Sequence, residues 1–201
     1  MTPHFSEPLH VPSTTGREAF AELDRVNWDD LEHAYKVKGV PKRRPSTPDV
    51  APSLRALGDA RASAMEEAME ALFSCICHQG TIYEATAYAV PFLAAFAAGT
   101  GLSRKQAQHF VGLLGEIGIA ACSVASRGGP HAGSFGPNVG PVTRQAIRSC
   151  MDHLKAMALR TPALKELVEA LAALVRTDSP DAAALARLRA LTGDEDEYAV
   201  N

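Results

Sequence analysis

The sequence predicts an all-α protein built from antiparallel helix pairs, and three observations predict it. Apolar residues recur at i, i+3, i+4 and i+7 through most of the chain, as in Leu164, Leu167, Val168, Leu171, Leu174 and Val175. No stretch sustains the period-two alternation of β-branched residues that marks a strand. Aromatics make up only 6% of the 201 residues while the hydrophobic share is 46%, so close packing through alanine is favoured over a sheet core.

Residues 1–16 carry three prolines and little apolar patterning, which reads as a flexible tail. They have neither the basic start nor the apolar core of a secretory signal. Helices are expected near 17–25 and 28–36, the second holding Trp28 and Tyr35. The basic, proline-bearing stretch 36–48 then reads as an exposed linker. Thr47-Pro48-Asp49 places a capping oxygen before a proline and opens a helix near 48–58. Met65, Met69, Leu72, Phe73 and Ile76 form the stripe of a helix over 60–78, and another is expected over 82–98.

Ser103 and Gln106 have capping-box spacing at the start of a helix over 103–125, striped by Phe110, Leu113, Leu114, Ile117, Ala121 and Val124. Five glycines and three prolines in 126–142 predict a long loop, of the kind that is functional or disordered in compact domains. Ile147, Met151, Leu154 and Ala158 place a helix over 143–159. Thr161-Pro162 and Ser179-Pro180-Asp181 open helices over 162–176 and 180–191. Residues 17–192 therefore read as one helical domain, followed by an acidic tail at 193–201.

The stretch HQGTIYEATAYAVPFL (78–93) puts His78, Tyr83 and Glu84 within seven residues, a density that invites a catalytic reading. Its spacing favours a corner between two helices. Gly80 suits a left-handed stop, Thr81 and Glu84 have capping-box spacing, and Pro91 is expected to kink the second helix. His78, Gln79 and Tyr83 are left without a structural task.

The chain holds no nucleophile elbow, zinc helix, phosphate loop or dinucleotide fingerprint. Cys75, Cys77, Cys122 and Cys150 lack metal-ligand spacing and are expected to be reduced, so neither a metal nor a cofactor is predicted. A net charge of −3 argues against a general nucleic-acid field. The longest mainly apolar stretch, Ala85 to Ala98, falls short of the ~20 residues that cross a bilayer. Two alternatives stay open. One is nucleic-acid binding through Lys36, Lys38, Lys42, Arg43 and Arg44. The other is an enzyme hidden in the helical bundle, built on His78, His109, Glu116 or His153.

Trp28, Asp29, His33-Ala34-Tyr35, Asp49-Val50 with Leu54 and Leu57, and then HQGTIYEATAYAVPFL together resemble a group of bacterial HEAT-repeat proteins. The likeness covers about residues 27–98, and the longer basic segment at 36–48 departs from it. It implies a short HEAT-like α-solenoid in the cytoplasm with no catalytic residues. Such a scaffold would bind a protein partner along a concave surface, as an immunity or accessory protein does when it captures a toxin or effector. The expected contacts are Trp28, Tyr35, His78, Gln79, Tyr83 and Phe135. The sequence predicts no particular oligomeric state and does not say which face binds.

Overall fold

Helices form where most of the apolar stripes placed them. The computed structural model describes residues 9–37, 47–58, 62–99, 101–123, 132–177, 179 and 181–193. Segments of 3-10 helix at Gly16–Arg25 and Trp28–Asp30 are followed by α1 (Val50–Leu57) and α2 (Ala62–Ile76). A two-stranded hairpin, β1 (Cys77–His78) and β2 (Thr81–Ile82), leads into α3 (Glu84–Ala98) and α4 (Arg104–Ala120). A 3-10 segment at Gly133–Asn138 precedes α5 (Val139–Ser149) and α6 (Met151–Arg160). A turn at Pro162–Leu164 opens α7 (Lys165–Val175), and α8 (Ala182–Thr192) closes the described chain.

The apolar run of α3 becomes the hub. Every residue from Glu84 to Ala98 except Tyr88 is buried, as expected of a helix that is apolar on all sides. It packs against the first 3-10 segment, α4, α5 and α6, so elements that precede and follow it in the chain surround it. The helix stays continuous across Pro91. The consecutive pairs α1–α2 and α7–α8 pack against each other as helical hairpins. Among the described residues the protein is thus all-α, apart from one minimal hairpin.

Three expected elements differ. The helix over 28–36 shrinks to Trp28–Asp30, because the following backbone is engaged in tertiary bonds. Ala34 N–H donates to Cys75 O (3.0 Å), Glu32 O accepts from Ala85 N–H (2.9 Å), and His33 pairs with Lys36. These bonds override local helix propensity. The helix over 143–159 is divided at Cys150, whose backbone leaves helical values (φ −108°, ψ 12°). The chain also becomes helical at Val139, inside the segment expected to be loop. Residues 126–131 of that segment, 124–125 of the helix expected over 103–125, and 38–46 of the basic linker lie outside the described residues.

Capping holds at three helix starts, two of them with a shift of position, while Thr161 makes no side-chain cap bond. Ser103 and Gln106 close their box at 2.8 and 3.2 Å. Asp49, rather than Thr47, caps α1 by accepting from Val50 N–H (2.8 Å), and Asp181 caps α8 through Ala183 N–H (2.9 Å). In each case the acid after the proline also places negative charge at the positive end of the helix dipole.

At the other ends, three arginines satisfy carbonyls that helices leave unbonded. Arg144 Nη1 donates to Ala121 O after α4 (2.6 Å), and Arg148 Nε to Val175 O at the end of α7 (2.7 Å). Arg160 Nη2 donates to Ala98 O, the last residue of α3. Arg144 is buried, so losing its charge-assisted bond leaves a dry carbonyl unpaired. Arg144→Met, which keeps the aliphatic stem, is expected to cost about 2 kcal/mol in urea unfolding.

Residues 9–16, in the segment read as a tail, are held to the first 3-10 segment. Glu22 accepts from Ser13 N–H (2.8 Å) and Ser13 Oγ (2.7 Å) and contacts His10 Nε2 (2.9 Å). The Ser13 hydroxyl and amide, with a smaller contribution from His10, lower the Glu22 carboxyl from 4.5 to about 2. A depressed carboxyl pKa stabilises the fold above its ordinary value and loses that contribution as pH falls through the folded value. Release of Ser13 is therefore expected between about pH 4.5 and 2, seen as accelerated exchange of its amide proton in an NMR titration.

Candidate functional site

The opening corner of the sequence is a β-hairpin tip. Cys77 pairs with Ile82 and His78 with Thr81. The two residues between them, Gln79 (φ 50°) and Gly80 (φ 70°), both take the left-handed conformation that a two-residue hairpin turn of type I′ demands. Gly80 does adopt the left-handed backbone, but it closes a hairpin rather than a helix. Thr81 is a strand residue and does not cap α3. Tyr83 occupies that cap, giving its N–H to Thr86 Oγ1 (2.8 Å), which donates onward to Ile76 O (2.6 Å).

Glu84 has a task that its spacing does not reveal. Its buried carboxylate accepts from Glu32 N–H (3.2 Å), from Ser134 N–H (3.1 Å) and from the Ser134 hydroxyl. It thereby ties α3 to the 31–32 backbone and to the glycine-rich segment 50 residues later. Gly133 (φ 56°) lies directly against this carboxylate.

The six expected contact residues divide by burial. Trp28 is buried against Phe92, and its Nε1 donates to Leu23 O (2.8 Å). Tyr83 is buried too, and burial, with smaller contributions from Cys77, Tyr35 and Cys75, pushes its phenol up to about 12. These two serve packing and offer no surface to a partner. Tyr35 is 36% exposed and sits 6.0 Å, ring to ring, from half-buried His78. Gln79 is exposed beside them at the hairpin tip. Phe135 stacks on Tyr88 instead, with centroids 5.8 Å apart and rings 12° from parallel. The fold thus gathers Tyr35, His78 and Gln79 on the surface and leaves Phe135 with a different neighbour.

Two cavities that share lining residues form a cleft along α4, and one of them reaches this tip. Its larger part, of about 560 Å³, lies between α2, α4, α7 and α8. Met69, Phe73, Leu113, Leu164, Leu167 and Leu191 supply an apolar lining, while Glu70, His109, Glu116 and Glu166 contribute charge or polarity. A second part, of about 470 Å³, is bounded by Gln79 and Gly80 of the hairpin, the end of α4, and Arg189 of α8. Glu116 and Thr192 line both parts.

The glycines of α4 explain its shape. A Cβ at Gly115 would meet Thr192 Cγ2 at 2.8 Å, and one at Gly118 would meet Leu171 Cδ1 at 2.7 Å, so both let α7 and α8 approach. Gly112 differs, because a Cβ there meets nothing within 4 Å and points into open space. A mid-helix glycine with no packing reason costs about 0.5–1 kcal/mol relative to alanine. Gly112→Ala is accordingly expected to stabilise the protein by about that amount in thermal or urea unfolding.

Of the four residues read as a possible enzyme, two line the cleft. His109 and Glu116 share α4 at a separation of two turns, about 10 Å along its axis. His78 belongs to the hairpin, and half-buried His153 is on α6. Of the basic cluster, Lys36 is engaged with Trp28 O (3.2 Å) and Asp29 (3.8 Å), while Lys38, Lys42, Arg43 and Arg44 fall outside the described residues. None of the four cysteines is in a disulfide, and burial pushes Cys150 up to about 12. Among the described residues, no group of His, Cys, Asp or Glu is arranged to hold a metal ion, and no helix is long and apolar enough to cross a membrane.

Comparison with protein-family profiles, curated proteins and solved structures gives no match. The functional reading therefore rests on the cleft and its surroundings. Neither the cleft nor the three capping arginines was anticipated from the sequence. Its one visible trace there is the three-residue spacing of Gly112, Gly115 and Gly118 within an otherwise regular apolar stripe.

Proposed function

We propose that the protein is a non-catalytic, protein-binding helical scaffold of the HEAT-like kind, with the hairpins α1–α2 and α7–α8 as its repeating units. Within that class, its action is that of a bacterial immunity or accessory protein that holds a toxin or effector in the cytoplasm. The observation that carries the reading is the cleft along α4, whose walls come from four helices. Its apolar lining and charged margin match the make-up of protein interfaces, in which apolar anchors are ringed by polar groups. Exposed Tyr35 and Gln79, beside His78, extend the same surface past the hairpin tip.

Affinity isolation of the tagged chain from its source cells, followed by size-exclusion chromatography, tests the proposal. A single protein retained in fixed stoichiometry, whose toxicity or activity is suppressed by adding this chain, supports it. Recovery of the chain alone after stringent washing contradicts it.

A further inference from the structure

We propose that the larger part of the α4 cleft receives a basic amphipathic helix of a partner protein, with the apolar face inward and lysines or arginines against the margin. This assignment rests on the protein-binding reading and adds the chemistry of what is bound. The lining comes from side chains on α2, α4 and α7, with Leu191 of α8, 38% exposed, at the edge. A surface of this kind takes anchors spaced i, i+3/i+4 and i+7 on one helix face. Gln108 to Glu116 spans about 12 Å of α4, and that length accepts roughly two turns of a bound helix.

Charge sets the sign of the partner. Glu70 on α2 and Glu166 on α7 line this part of the cleft from different helices, both exposed. Neither has an ion-pair partner among the described residues, whereas neighbouring Glu66 and Glu169 are paired with Lys105 and Lys165. Among the described residues, the lining of this part contains no lysine or arginine. A positively charged helix would find both walls complementary, and an acidic one would be repelled. Gly112 keeps the intervening space open, which Gly115 and Gly118, closed over by α7 and α8, do not.

Fluorescence anisotropy of the full chain with labelled 18-residue peptides tests the assignment. One probe carries leucines at i, i+3, i+4 and i+7 with lysines elsewhere, a second replaces every lysine by glutamate, and a third scrambles the first. The basic amphipathic probe is expected to bind at least tenfold more tightly than either control. Gly112→Trp, checked for folding by circular dichroism and melting temperature, should weaken it more than tenfold. Gly112→Ala serves as the folded counterpart and should weaken it less than threefold. Glu70→Lys with Glu166→Lys should reduce binding about tenfold.

Equal binding of the scrambled or acidic probe, or normal binding by folded Gly112→Trp, would overturn the assignment. So would a concentration-dependent dimer abolished by Gly112→Trp, since the occupant would then be a second copy. If an isolated cellular partner binds the Gly112→Trp variant normally, the scaffold reading stands and this cleft assignment fails. Selective probe binding without any stoichiometric cellular partner gives the reverse result.

Discussion

Gly99→Ala is expected to destabilise the protein by about 3 kcal/mol or more, at the upper end for overpacking substitutions. Gly99 follows the last residue of α3 and has φ −66°, so alanine meets no backbone penalty there. The cost is steric. A Cβ would lie 2.6 Å from Gly16 N and closer still to Gly16 Cα, and both are backbone atoms that no rotamer change can move. Gly16 itself has φ 68° and begins the 3-10 segment that packs on α3. The alanine therefore pries that segment away from the hub. Trp28, the single tryptophan, reports on it from its position against Phe92. In urea unfolding, Trp28 fluorescence should change at lower denaturant than the far-ultraviolet dichroism of the helices. Coincident transitions at the original midpoint would show that the two glycines do not need their close approach.

Gly133→Ala is expected to cost about 4 kcal/mol, by a different route. The left-handed conformation penalises alanine by about 1–2 kcal/mol. The new Cβ would also intrude on the carboxylate of Glu84 and approach its Cβ at 2.9 Å. Displacing that carboxylate breaks charge-assisted bonds to Glu32 and Ser134, worth about 1.5–3 kcal/mol. Glu84→Gln keeps the shape but not the charge, and is expected to cost about 2 kcal/mol. Chemical denaturation of both variants checks the order. A neutral Glu84→Gln would mean that the three-way tie holds nothing together.

The two glycines mark where reading the sequence ends. Helix positions were legible because α2, α4, α7 and α8 each bury one face, so their apolar spacing carries the signal. Capping at Asp49, Ser103 and Asp181 was legible to within two residues for the same local reason. The segment after Trp28 was not, since its backbone bonds to Cys75 and Ala85, partners about 40 and 50 residues away. The hairpin tip read as a helix corner because a left-handed glycine serves both structures, and Gln79 gives no sign of the positive φ that type I′ requires.

The candidate site was legible only at its edge. His78, Gln79 and Tyr83 read as residues without structural employment and Tyr35 as an interface aromatic; His78, Gln79 and Tyr35 lie together near the surface, whereas Tyr83 is buried. Trp28 and Tyr83 were equally conspicuous by residue type, but each is drawn into the core. The α4 cleft assembles residues from Met69 to Thr192, and no local pattern can announce a surface made from four separate helices. Glu84 carried the most misleading local signal. Its spacing from Thr81 suggested a capping box, yet that box is formed by Tyr83 and Thr86, and the Glu84 carboxylate serves donors far away in the chain.

Mapping the bound surface by NMR tests the central claim most directly. In a titration of the ¹⁵N-labelled full chain with the basic amphipathic peptide, the account predicts shifts concentrated in α4 from Gln108 to Glu116. Smaller shifts are expected at Met69–Phe73, at Ala163–Leu167 and at Leu191–Thr192, the other walls of the cleft. Saturable shifts confined to other faces, with Gly112 and its neighbours unmoved, would contradict it.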